Sequence, residues 1–254
     1  MMRAAMPAGE PAEIVAAGRT LAVSSPDKVY FGERGETKLD LARYYVAMEE
    51  PVMRALGGRP ALMERYPDGA DGPSFFQKRV PKNAPEWLVT TTVQTPNGTP
   101  SEALVIADVA HLVWAVNLGC LGLHVWPYLA ADPEHADELR IDLDPSPGVT
   151  LAMVKEAAQE ARGLLAEHGV SGHPKTTGRN GIHLYVRLRP EHDSFAVRAA
   201  AVAVARELER RRPDLVTAAW WKEERCARVF IDYNQNVPHK TIIGAWSVLP
   251  RRGA

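Results

Sequence analysis

Residues 139–145 read Leu139-Arg140-Ile141-Asp142-Leu143-Asp144-Pro145. Leu139, Ile141 and Leu143 alternate with Arg140, Asp142 and Asp144, which is the period of a half-buried β-strand. The next stretch, 150–168, carries Leu151, Val154, Ala158, Ala161 and Leu165 at the spacing of one helix face, and Gly169 supplies its stop. Alternation returns at Ile182, Leu184, Val186 and Leu188, set against His183, Tyr185, Arg187 and Arg189. A helix follows over 194–211, closed by Pro213, and then a third strand over 228–233. Strands that alternate with helices predict an α+β fold (α/β mixed sheet), with central mixed β-sheets flanked by helices.

Working outward, residues 241–248 are the last strand candidate, and 1–12 read as a loose tail rich in Ala, Pro and Gly. Glu13–Val15 and Leu21–Val23 flank an Ala-Ala-Gly-Arg turn and predict a small hairpin. Thr37 precedes a helical stretch over 38–56, jointed near Pro51 and ended by Gly57-Gly58. The proline- and glycine-rich stretch 60–98 reads as loop with short strands. Asp108 caps a helix running to Leu118, with Leu112, Val113 and Val116 on its apolar face.

The 254 residues suit one large domain or two small ones packed together, and 46% hydrophobic content excludes global disorder. No apolar run approaches a membrane span, and Glu10 and Glu13 stand where a signal peptide needs its apolar core. Cys120 and Cys226 have neither zinc-site nor disulfide spacing, so a reducing, cytoplasmic compartment is expected. The formal net charge of −1 hides a split, because residues 171–254 carry 15 Lys/Arg against 8 Asp/Glu. Such a block can place a basic, nucleic-acid-facing surface beside an acidic site.

Asp142 and Asp144, two apart on a strand, project from one face. Like charges this close relieve one another poorly, and a divalent cation is the usual remedy. Asp232 on the third strand offers a third carboxylate, and three hard oxygen donors suit Mg²⁺ or Mn²⁺. Two such ions about 3.5–4 Å apart would serve a phosphoryl displacement. The Asp-x-Asp pair alone also occurs in sugar transferases, calcium loops and solvated turns. The run from Lys175 through Thr177, Gly178 and Arg179 to His183 places cations, hydroxyls and glycines before a strand, which suits phosphate oxygens. It lacks the ending and following helix of a Walker loop.

Three segments resemble the motifs of one family: Ile141-Asp142-Leu143-Asp144-Pro145, Thr177-Gly178-Arg179-Asn180-Gly181-Ile182-His183 and Val229-Phe230-Ile231-Asp232-Tyr233-Asn234-Gln235-Asn236. The family is the polymerase domain of bacterial DNA ligase D, in the archaeo-eukaryotic primase superfamily. Ser25-Pro26-Asp27-Lys28-Val29, Thr37-Lys38-Leu39-Asp40, Arg65-Tyr66-Pro67-Asp68-Gly69 and Phe75-Phe76-Gln77-Lys78 resemble it in order and spacing. The resemblance covers residues 13–251 and implies a single primase-polymerase domain. Within it, 13–130 would be the DNA-contacting part and 131–254 the catalytic core.

The implied activity is metal-dependent, DNA-directed nucleotidyl transfer, with ribonucleotides preferred, to 3′ ends at breaks or gaps during end joining. Asp142, Asp144 and Asp232 would be catalytic and would hold two Mn²⁺ or Mg²⁺ ions. Lys175, Thr177, Gly178, His183, Gln235, Lys240 and His124 would contact the nucleoside triphosphate. Lys28 and Lys38 would grip a downstream 5′-phosphate, while Phe75, Phe76 and Arg65 would meet DNA. The implied partners are DNA with 5′-phosphorylated gaps or breaks, a separate DNA ligase and the bacterial Ku end-binding protein. The implied setting is the nucleoid, and a polymerase domain without an attached ligase or nuclease segment is expected. The chain departs from the pattern at Asn180, where a lysine is usual, at Leu249, where an arginine is usual, and at Glu64, where a family member can place a basic residue near DNA. Two lost phosphate contacts would weaken nucleotide binding by about 100-fold, unless Lys240 or Arg251 substitutes. The alternative reading is a non-catalytic DNA-end-binding module derived from such a polymerase.

Overall fold

The computed structural model describes residues 10–94 and 97–250. Strands β1 (Ala12–Ala16) and β2 (Arg19–Val23) form the expected hairpin. Its two-residue turn places both Ala17 and Gly18 at positive φ (47° and 73°), the turn that matches strand twist. A short ribbon, β3 (Val29–Phe31) with β4 (Glu36–Thr37), leads into α1 (Lys38–Ala47). Thr37 and Asp40 cap α1 reciprocally. The helix breaks at Met48, and α2 (Glu49–Leu56) places Pro51 in its first turn, where a missing N–H costs least.

Next come β5 (Pro60–Arg65), β6 (Phe75–Gln77), β7 (Thr90–Gln94), β8 (Pro100–Val105), α3 (Val109–Asn117) and β9 (Cys120–Val125). The stretch 60–98 is therefore more than loop, since β5 lies inside a six-stranded sheet of order β15-β9-β5-β8-β7, with β6 also on β5. Its Ala61 and Met63 are fully buried under the helices. The last member of that sheet, β15, is only Ile242–Ile243, not the strand over 241–248 that alternation suggested. The chain turns after Gly244, where Ser247 N–H donates back to the Gly244 carbonyl (3.3 Å) and Trp246 takes a positive φ of 67°.

The second sheet has the order β11-β12-β10-β14-β13. It is built from β10 (Glu138–Pro145), β11 (His173–Thr176), β12 (Ile182–Arg187), β13 (Val216–Thr217) and β14 (Val229–Asp232). The helices α4 (Leu151–Glu167) and α5 (Ser194–Arg211) cover one face, packing on Leu139, Ile141 and Leu143. Of the apolar stripe expected on α4, Val154, Ala161 and Leu165 are buried and Ala158 is half-buried, while Leu151 is exposed and Ala157 and Leu164 are buried beside them. The expectation of a half-buried β10 is corrected. Glu138, Arg140 and Asp142 are also buried, because this face turns towards the six-stranded sheet, where Arg140 Nη2 donates to the Trp126 carbonyl (2.9 Å). Among the described residues, no helix is long and apolar enough to cross a membrane.

Candidate active site

The polar face of the second sheet is assembled by register. Lys175 on β11 lies opposite His183 on β12, His183 opposite Asp142 on β10, and Asp142 opposite Asp232 on β14. Directly paired residues share a face, so these four side chains form one row across the sheet. Asp144 follows two residues along β10, on the same face and opposite Phe230. One carboxylate oxygen from each of Asp142, Asp144 and Asp232 lies within 4.8 Å of the others, in a gradient from buried Asp142 to exposed Asp144. Asp232 ends β14 and accepts from the Asn234 backbone N–H (2.9 Å) and Gln235 Nε2 (3.0 Å). Gln235, expected at the nucleotide, orients this carboxylate.

The electrostatics follow from burial. Desolvation, then Asp144 and Asp232, push the Asp142 carboxyl well above its usual range. Desolvation and Asp232 raise Asp144, while Arg225 opposes the shift. Asp142 Oδ1 is buried without a hydrogen bond, since His183 Nε2 stands 3.3 Å away without hydrogen-bond alignment. An orphaned oxygen among three carboxylates fits a divalent cation, so the cluster can hold a metal ion. Burial pushes Lys175 down to about 8, with Asp142 opposing and Arg140 assisting. Burial, Lys175 and Arg140 push His183 down to about 3, leaving a neutral ring at physiological pH.

Lys175 belongs to strand β11 rather than to the loop, and its ammonium donates to the Ile243 carbonyl (3.0 Å), tying the two sheets together. The loop between β11 and β12 is closed by Thr177 N–H to the Gly181 carbonyl and Gly181 N–H to Thr177 Oγ1, both 3.1 Å. Gly178 sits in that loop at φ 76°. His124 lies opposite Ile243, 3.2 Å from Glu64 Oε2, with Phe76 edge-on at 5.2 Å between ring centres. Lys240 is exposed on the turn into β15. Leu249 borders a cavity against α1, and Arg251 lies outside the described residues.

Of the residues expected at DNA, Arg65, Phe75 and Phe76 lie on the other sheet, Lys38 opens α1 and Lys28 precedes β3. Phe75 and Phe76 are 46% and 59% exposed on β6. Arg65 stacks on Phe75 (5.1 Å) and donates to the Leu118 carbonyl and Gln77 Oε1. Lys38 is 6% exposed and donates to the Ser24 (2.8 Å) and Asn117 (3.0 Å) carbonyls. Burial, then Lys28 and Arg65, lower its pKa, which marks three neighbouring cations as a candidate anion site. Glu64 is held by His124 and the Tyr66 hydroxyl (2.7 Å).

Sequence reasoning passed over Arg140, Tyr185 and Arg225. Tyr185 Oη lies 3.3 Å from His183 Nδ1. Arg140 and Tyr185 share the polar parity of Asp142 and His183, so period-two alternation could have found them. Arg225 sits in a loop with no period and left no such signal.

The sequence profile described as the LigD primase-polymerase domain matches residues 37–254. The multifunctional non-homologous end joining protein LigD of Mycobacterium bovis is 35% identical over 244 residues, covering 93% of this chain and 32% of that protein. The bifunctional LigD of Bacillus subtilis is 32% identical over 228 residues, 89% of this chain and 36% of its own length. The chain thus spans about a third of these relatives. A solved structure described as the polymerase domain of Mycobacterium tuberculosis ligase D in complex with DNA superposes with a TM-score of 0.84 at 35% identity. That match covers 89% of this chain and 81% of the other. With its acidic trio on the middle strands of a mixed sheet, this chain belongs to the LigD primase-polymerase domain family.

Proposed function

We propose that this chain is a metal-dependent, DNA-directed nucleotidyltransferase. It would add nucleotides, ribonucleotides by preference, to 3′ ends at DNA breaks or gaps during repair by end joining. The observation that carries this reading is the row Lys175–His183–Asp142–Asp232 with Asp144 beside it, an acidic trio flanked by a phosphate-suited cation and a neutral imidazole. Two Mn²⁺ or Mg²⁺ ions would stabilise charge on the attacking and leaving oxygens. Asp142 and Asp144 would hold the ions, and Asp232, fixed by Gln235, would complete the set and take the proton of the primer 3′-hydroxyl.

Lys175 would neutralise the departing phosphates, since burial pushes its ammonium down only to about 8 and it stays mostly charged near neutral pH. His183, neutral, would donate one N–H to a phosphate oxygen. Thr177, Gly178, Lys240 and His124 would complete the nucleotide pocket. Lys28, Lys38 and Arg65 would take a downstream 5′-phosphate, and the exposed Phe75 and Phe76 would stack on template bases without regard to sequence. In this reading 13–130 carry most DNA contacts and 131–254 the chemistry, with a separate ligase and Ku as partners in the repair.

The test is extension of a primer on a gapped duplex with a downstream 5′-phosphate, with Mn²⁺ or Mg²⁺ and ribo- or deoxyribonucleotides. Extension that Asp142→Ala abolishes is expected. Gapped DNA bound without extension would favour the end-binding module instead.

A further inference from the structure

Two large apolar side chains stand in water beside the acidic trio. Trp220 and Trp221 are 48% and 64% exposed, in the loop between β13 and β14. Their position is built rather than incidental. Arg225 donates from Nε to the Ala219 carbonyl (3.1 Å) and from Nη2 to the Trp220 carbonyl (2.7 Å). The same guanidinium lies 3.5 Å from the centre of the Phe230 ring. Trp220 meets that ring edge-on, at 6.4 Å between centres and 66° between planes. Phe230 is the residue directly opposite Asp144. The indole of Trp220 therefore rests on the same sheet face as the carboxylates, one ring away from Asp144.

The direction of the reaction selects the ligand, an argument that rests on the nucleotidyltransferase reading. Strand order puts Lys175 and His183 on the β11–β12 side of Asp142, and Asp232, Phe230 and the tryptophan loop on the β14 side. In an in-line displacement the leaving group and the attacking oxygen lie on opposite sides of phosphorus. With the departing phosphates held at Lys175 and His183, the 3′-hydroxyl arrives from the β14 side. We infer that Trp220 and Trp221 form the platform on which the terminal base of the primer strand stacks. Indoles offer a broad π-face that any base can use. Phe75 and Phe76 lie on the other sheet and serve a different strand.

The experiment uses a gapped duplex with 2-aminopurine as the primer's 3′-terminal base, bound by the wild-type chain and by W220A, W221A, W220F and W221F. The wild type should quench the probe, and quench it more than a 2-aminopurine placed in the downstream strand. The alanine variants should leave it bright and raise KM for gapped DNA about tenfold, with KM for the nucleotide unchanged. The phenylalanine variants should restore both readouts. Quenching and DNA KM that survive in W220A and W221A would overturn the platform while leaving a working polymerase. Wild-type quenching without any extension would sink the polymerase reading and keep the platform. Should the alanine variants fail to fold, the wild-type comparison of probe positions decides, because equal quenching at both overturns the inference.

Discussion

Asp142 carries the largest unrelieved electrostatic cost in the site. It is buried, it faces Asp144 and Asp232, and one oxygen has no hydrogen bond. A carboxyl whose folded pKa is raised binds its proton more tightly folded than unfolded. Its contribution to stability is therefore greatest at low pH and falls as pH climbs from the ordinary value of 3.8 through the raised one. His183 acts oppositely between pH 6.5 and about 3, where the unfolded imidazole takes a proton the folded one refuses. A difference between variants separates the two. In metal-free buffer, Asp142→Asn should melt a few degrees above the wild type at pH 8, and the gap should shrink as the pH falls and close only near 3.8. Added Mn²⁺ should raise the wild-type Tm and leave the variant unmoved. A variant that melts lower at pH 8 would show that Asp142 is relieved by some neighbour rather than strained.

At the level of elements, one buried ion network joins the two sheets. Arg59, immediately before β5, is 1% exposed and grips both oxygens of Asp137 (2.7 and 2.8 Å) as well as Glu138 (2.8 Å). Glu138 in turn accepts from Arg140 Nε (2.7 Å). Removing one partner leaves buried charge unpaired, so Arg59→Met should cost about 3–5 kcal/mol. Urea unfolding would read this as a lower midpoint, and a loss below about 1 kcal/mol would show the network to be dispensable. Such long-range pairs were invisible to local pattern. Period-two alternation found β10, β12 and β14, and with them Asp142, His183 and Asp232. It missed the burial of Arg140, because a polar residue on a strand looks solvated until a second sheet is known to cover it. It overextended β15, because Thr241–Val248 alternates well enough while Gly244 and Trp246 turn the backbone away. The helix starts are legible because Thr37, Asp108, Thr150 and Asp193 cap them locally, while the joint in 38–56 falls at Met48 rather than at Pro51. The strand β5 was obscured by the prolines and glycines that surround it.

Across the whole molecule, the basic block of residues 171–254 is not the open surface its count suggests. At the end of α5, Arg210 pairs with Glu207, Arg211 with Glu167, and Arg212 with Glu156, Glu160 and Asp214. Those arginines neutralise acids on α4 and α5, far along the sequence from Lys28, Lys38 and Arg65. The cations positioned for a phosphate are thus few. Each phosphate neutralised on duplex DNA contributes a slope of about −0.9 to log K against log salt. Three such contacts give a slope near −3, against roughly −6 or steeper if the whole block engaged. Lys28 is the informative residue, because Lys38 is buried and Lys38 and Arg65 tie carbonyls of separate elements, whereas Lys28 holds the Pro67 carbonyl at the surface. Lys28 must leave exposed Asp68, 3.5 Å away, to reach DNA, which trims its contribution. Titrating a 5′-phosphorylated gapped duplex from 50 to 300 mM salt should give the shallow slope, and Lys28→Ala should reduce it by about one. The same variant should lose most of the preference for a 5′-phosphate over a 5′-hydroxyl. A steep wild-type slope that Lys28→Ala leaves intact would move the DNA away from the β6 face and onto the arginines of α5.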